Sequence, residues 1–183
     1  MDGGSRGVPG LPVAMAEPLC TALLAKIHEQ IERTGHLIRL LPEASGSWTP
    51  PVHGDRPPAM LLGHLLECLA GFCAVLAAAN PQRLEHFRGL REMPVNQPCD
   101  ALEAIARMAV YRAHIDEGFA LLGDADLARW LPTVFVKQGE SVLTLLLGNL
   151  EHLINHKHQL FIYVKLMGVD VGTADLYCLR GGD

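Results

Sequence analysis

Ala59 to Ala79 is a run of 21 residues in which only His64 and Glu67 are clearly polar. A run this long and this apolar has few folded solutions. It does not alternate in hydrophobicity and it far exceeds ordinary strand length, so it is a helix. Such a helix needs cover on most of its circumference. A bilayer supplies that cover, since about 20 residues span one, and so do other helices. Glu67 decides against the bilayer, because a carboxylate near mid-span costs roughly 2 to 3 kcal/mol. The run is therefore the inner helix of a bundle, and no membrane partner is expected.

The covering helices are legible in the rest of the chain. A first helix runs from about Pro18 to Leu41, with Leu23, Ile27, Ile31 and Ile38 on one side and Lys26, Glu29 and Arg33 on the other. Pro42 stops it, and residues 42–58, with five Pro and two Gly, form a loop. Asn80-Pro81 ends the second helix, and an irregular, Arg-bearing segment fills 81–98. A third helix spans about Pro98 to Gly123, with Asp100 in its first turn, where a carboxylate suits the helix dipole. Residues 124–138 connect it onward. Within them Thr133 to Val136 is a candidate strand, too short to build a sheet. The fourth helix begins around Gly139 to Ser141 and ends at Gly168 as its C-terminal cap. Long helices with no convincing strand pattern define an all-α four-helix bundle. The expected organisation is a flexible leader over 1–16, the bundle over 17–169 and a short tail over 170–183.

Composition narrows the function. Of the 183 residues, 49% are apolar and 19% charged, which is a globular balance for one domain. The formal charge is −5 and no Lys/Arg cluster stands out, so no nucleic-acid partner is expected. Five cysteines without a framework spacing, and no apolar signal segment at the Gly/Pro-rich start, indicate reduced thiols in the cytoplasm.

The fourth helix carries the chemistry. His152 and His156 lie four residues apart and so share a helix face, bordering the apolar stripe of Leu146, Leu150, Leu153 and Val164. His64 is the other histidine in an apolar helix interior. If the second and fourth helices pack side by side, three neutral imidazoles meet, leaving open positions as at catalytic zinc and related metals. The competing reading is a set of hydrogen-bonded core histidines, the usual fate of a lone one. His158 points roughly opposite to His156 and faces solvent. His28, His36, His53, His86 and His114 lie on the surface or in loops. Glu67, three residues after His64, is either a general base or an acceptor for an imidazole N–H, or else a paired interior carboxylate. Cys68, one turn after His64, is a poorer ligand candidate, since thiolate sites recruit further cysteines. Asn149, Asn155 and Tyr163 are candidates to line a substrate pocket.

The run His152-Leu-Ile-Asn-His156-Lys157-His158-Gln159-Leu160-Phe-Ile-Tyr163-Val-Lys165-Leu-Met-Gly168 resembles the last helix of the DinB/YfiT-like metalloenzymes. The signature there is His-x-x-x-His-Arg-Gly-Gln-Leu-x-x-Tyr-Leu-Arg-x-x-Gly. Gly63-His64-Leu65-Leu66 resembles the family's second-helix motif, and Ser47-Trp48-Thr-Pro50 its aromatic loop. Lys157 and His158 depart from the usual Arg-Gly; Lys157 keeps the cation and His158 adds bulk. The resemblance covers about residues 17–169. It implies an up-down-down-up bundle and metal ligation by His64, His152 and His156. It also implies a homodimer, as does the apolar second helix, and a transferase using a low-molecular-weight thiol. The same three histidines accept Zn, Ni, Fe or Mn, and equally suit a hydrolase. The expected function is a metal-dependent small-molecule enzyme, most directly a thiol-dependent S-transferase or a hydrolase. The alternative is a non-catalytic metal-binding protein of the stress response.

Overall fold

The computed structural model describes residues 18–133 and 136–177. The expected leader and Cys178 lie outside them. Four long helices, α1 (Leu19–Arg39), α2 (Pro58–Ala79), α3 (Ala101–Phe119) and α4 (Val142–Leu166), make up the fold. Both α1 and α2 pack against α3 and against α4, so α1 and α2 sit on one diagonal of the bundle and α3 and α4 on the other.

Local contacts set the directions. The segment after α2 returns along it: the Asn96 amide donates to the Gly63 carbonyl and the Cys99 amide to the Ala59 carbonyl. Thus α3 starts where α2 starts, and the two run parallel. The start of α1 meets the end of α3, because the Leu19 and Cys20 amides donate to the Asp124 carboxylate at 2.9 Å each. The end of α1 meets the end of α4, since His36 pairs with Asp175 just beyond it. The order is up-down-down-up, as the resemblance implies.

Helix boundaries follow capping chemistry. Asp100 lies one position outside α3 rather than in its first turn, and its carboxylate accepts from the Glu103 amide at 2.8 Å. Ser141 caps α4 by accepting from the Thr144 amide at 3.1 Å. Gly168 follows α4 with φ +87°, the left-handed conformation expected of its closing glycine. Helix α3 is shorter than expected because the chain turns tightly at Gly118 and Phe119, whose carbonyls accept from Leu121 and Leu122.

The candidate strand at Thr133 to Val136 is displaced. Its centre, residues 134 and 135, lies outside the described residues, and at its ends the Val136 amide donates to Thr133 Oγ1 at 2.9 Å. The paired strands lie to either side as β1 (Trp130–Leu131) and β2 (Glu140–Ser141), antiparallel with Trp130 opposite Ser141. The tail also holds structure that the sequence did not reveal: α5 (Thr173–Tyr177) packs on α1.

The core centres on α2. Leu61, Leu65, Leu66, Leu69, Phe72 and Leu76 are at most 1% exposed. Helix α2 is long and apolar enough to cross a membrane, yet 67% of its most apolar 18-residue window is buried inside the bundle. The neighbouring helices supply the cover that its composition demands.

Candidate metal centre

His64 lies in the second turn of α2, and His152 and His156 lie in the middle of α4. These helices are antiparallel neighbours, so one face of each meets the other. The structure brings the three imidazoles together, with one ligand nitrogen from each within 4.8 Å of the others. The ring centroids are 4.9 Å apart for His64 and His152, 4.3 Å for His64 and His156, and 4.8 Å for His152 and His156. His64 is buried and the other two are half-buried.

Hydrogen bonds set which nitrogen faces the centre. His64 Nδ1 lies 2.6 Å from Asn96 Oδ1 and 2.8 Å from Glu67 Oε2. Both are acceptors, so Nδ1 carries the proton and Nε2 is left with its lone pair. That Nε2 lies 3.1 Å from His152 Nε2. His156 Nδ1 donates to Gln159 Oε1 at 3.0 Å, which leaves its Nε2 bare in the same way. Bare imidazole nitrogens converging at one point are what a divalent transition metal takes, and the acceptors behind His64 and His156 are the usual support of such a ligand.

The charge state agrees. Burial pushes His152 and His156 below the ordinary imidazole value, and the His64 ring and the Arg56 cation push the same way. Both rings are therefore neutral near pH 7, the form that binds metal.

Further contacts hold the site in shape. Gln159 Nε2 donates to the Tyr163 hydroxyl at 2.9 Å, and that hydroxyl donates to the Arg56 carbonyl at 3.0 Å. Trp48 packs on Tyr163 with ring centroids 5.0 Å apart. The loop between α1 and α2 is thus tied to α4 beside His156. Behind His64, Gly63 lets the returning segment approach: a Cβ at Gly63 would lie 1.9 Å from the Gln97 carbonyl oxygen. Asn96 adopts φ 56°, a conformation Asn tolerates, and so reaches the imidazole.

Glu67 touches His64 Nδ1, the ring nitrogen away from the convergent point, so its contact is with the back of that imidazole. Asn149 turns to the helix interface instead. Its Nδ2 donates to the Leu145 carbonyl, and its Oδ1 lies 2.2 Å from where a Cβ on Gly71 would sit. Asn155 is exposed and forms no side-chain hydrogen bond among the described residues. Tyr163 is buried and acts through Gln159. Cys68 is no ligand: its thiol donates to the His64 carbonyl at 3.4 Å, and burial pushes it up to about 12. His158 is exposed, as expected. Lys157, read only as a retained cation, is 3% exposed and donates to Gln30 Oε1 at 2.9 Å, joining α4 to α1.

Asn96 and Gln159 are the functional residues that sequence reasoning missed. Gln159 stands in the motif three residues after His156, a spacing that places it on the same face. Asn96 had one indirect signal, a glycine directly before a histidine and flanked by leucines in the first turns of the helix.

No family model matches this sequence, and no curated protein does. Among solved structures, the chain is similar to the crystal structure of a DinB-like protein, YjoA, from Bacillus subtilis. The TM-score is 0.63 with 19% identity, covering 82% of this chain and 94% of that one. At that identity the likeness is one of fold: this chain has the all-α DinB-like fold.

Proposed function

We propose that this DinB-like bundle is a metal-dependent small-molecule enzyme, in the first place a thiol-dependent S-transferase, with His64, His152 and His156 as its metal ligands. The observation that carries the reading is the convergence of those three nitrogens within 4.8 Å, two of them with their second nitrogen committed to an acceptor. A bound divalent ion such as Zn, Ni, Fe or Mn would supply Lewis acidity, which makes a thiol or water nucleophilic near neutral pH. The chain's own residues do the rest. Glu67 and Asn96 hold the proton on His64 Nδ1, and Gln159 holds the proton on His156 Nδ1. Tyr163 and Trp48 fix the loop that borders the site. Half-burial of His152 and His156 leaves the centre open to a small thiol on one side.

Two further parts of the proposal rest on other features. The exposed apolar residues Leu147, Ile154, Ile162 and Leu166 form a stripe along α4 and support a homodimer. That stripe replaces α2 as the reason, since α2 is covered within one chain. Cys20, Cys68, Cys73 and Cys99 are all buried free thiols, which supports a cytoplasmic protein.

Metal content of untagged protein after gentle purification tests the centre. About one divalent ion per chain, lost with the ligand histidines, supports it; metal-free protein that also fails to take up zinc refutes it. A screen of low-molecular-weight thiols against electrophiles, with hydrolysis of activated esters alongside, tests the chemistry. Tight metal binding with no turnover across the panel would favour the non-catalytic stress-response reading.

A further inference from the structure

Behind His64, on the side of Glu67, lies a cleft of about 580 Å³, between α2 and the segment that returns along it. The segment is pinned at both ends, by the Leu84 amide on the Asn80 carbonyl at 3.0 Å and the Asn96 amide on the Gly63 carbonyl at 3.1 Å. Between these points Phe87 and Leu90 turn inward and are buried. Five of the seven α2 positions that line the same space are Ala70, Gly71, Ala74, Ala77 and Ala78, so side-chain volume is missing on the helix side. The volume is that of a small-molecule site, which typically measures about 300 to 1,000 Å³.

Charge gives the cleft a direction. Glu67 and Val95 line its end nearest His64, where Glu67 holds His64 Nδ1; the three histidines themselves lie outside its lining. Arg88 and Arg91 line it as well, both exposed. Arg88 pairs with Glu85 at 3.0 Å. Arg91 has no ion-pair partner among the described residues. An anionic group is repelled at Glu67 and attracted at Arg91.

We propose that this cleft holds the body of the substrate, and that the substrate is an apolar organic anion whose charged group rests on Arg91 while its apolar part lies along the alanine face of α2. Its role as substrate rests on the metal-centre reading; its binding does not.

The test is calorimetric titration of octanoate, and of octanol as its uncharged counterpart, into metal-free and zinc-loaded protein. Octanoate should bind both forms, about tenfold more tightly than octanol, the scale of one charge-assisted contact. Arg91→Ala should bring octanoate down to the octanol affinity. Ala74→Leu fills the cleft from an exposed helix position that tolerates leucine, and should remove binding of both molecules. Ala74→Ser should retain it, with both variants as helical as the parent. Absence of octanoate binding, or binding indifferent to Ala74→Leu, overturns the cleft; equal affinity for octanoate and octanol overturns the anionic assignment. The metal-free arm reads the cleft even where the histidines hold no metal, so the two readings fail separately.

Discussion

Gly63→Ala is the sharpest perturbation this structure offers. The added methyl would sit 1.9 Å from the Gln97 carbonyl oxygen, where ordinary contact begins at 3.4 Å, so the returning segment has to withdraw by about 1.5 Å. Two interactions cannot survive that shift. One is the Asn96 amide bond to the Gly63 carbonyl at 3.1 Å, and the other is the Asn96 contact to His64 Nδ1 at 2.6 Å. Overpacking costs about 1 to 3 kcal/mol and each of the two lost hydrogen bonds about 1. The total is about 3 to 5 kcal/mol, or a fall in Tm of about 6 to 20 °C for a domain of this size. Loss of the Asn96 acceptor should also weaken metal binding about 10- to 100-fold. Thermal melts of the metal-free protein read the first effect, and chelator competition for zinc reads the second. Gly148→Ala is the control with opposite sign. It lies exposed inside α4 with no atom within 4 Å of its would-be Cβ, so alanine should stabilise by roughly 0.5 to 1 kcal/mol. A Gly63→Ala protein with unchanged Tm would refute the packing argument. A destabilised one with unchanged zinc affinity would refute the role given to Asn96.

His64→Ala, His152→Ala and His156→Ala should each strip bound metal while His158→Ala leaves it, as read by elemental analysis; far-UV CD should stay helical in chelator, because the core does not depend on the ion. For His152 and His156 the folded pKa lies below the unfolded value near 6.5, so the folded chain binds fewer protons. Their contribution to the stability of the metal-free protein is then fully present above pH 6.5 and is lost as pH falls from there through the lower folded values, which melts at pH 8 and pH 5 will show; metal affinity falls in the same direction. The homodimer predicts a sedimentation mass twice the 19.9 kDa chain, reduced to one chain by Leu147→Glu with Ile154→Glu, and a single-chain mass for the parent refutes it. Glu67→Gln should keep the fold and lower metal affinity about 10- to 100-fold if Glu67 positions His64, or lower thiol-transfer rates about 100-fold with metal retained if it moves a proton; no change in either would leave it a bystander.

The bundle was legible because its signals repeat. An apolar period sustained over twenty residues leaves a helix little choice, and prolines at 42, 81 and 98 separate one helix from the next. Topology was less accessible. Nothing local states that 81–98 returns along α2 rather than reversing into an antiparallel α3; that depends on a backbone contact at Gly63, 33 residues before Asn96. Helix α5 failed for a similar reason. Five residues carry too little periodicity to register, and α5 exists because His36, Lys157 and the face of α1 receive it.

The same division runs through the site. His152 and His156 are fixed relative to each other by helix geometry alone, so their spacing was informative before any fold was known. His64 joins them only if α2 and α4 are neighbours, which the apolar character of both helices favoured. The acceptors are harder in a graded way. Gln159 and Glu67 lie within one turn of the ring they support, and both were within reach of a helical argument. Asn96 arrives from another segment, in a left-handed conformation, through a gap that a glycine leaves open. Ligands carried on regular helices can be read from periodicity; a support that depends on irregular backbone cannot. In this chain the boundary between the two passes through a single imidazole, with Glu67 on one side of His64 Nδ1 and Asn96 on the other.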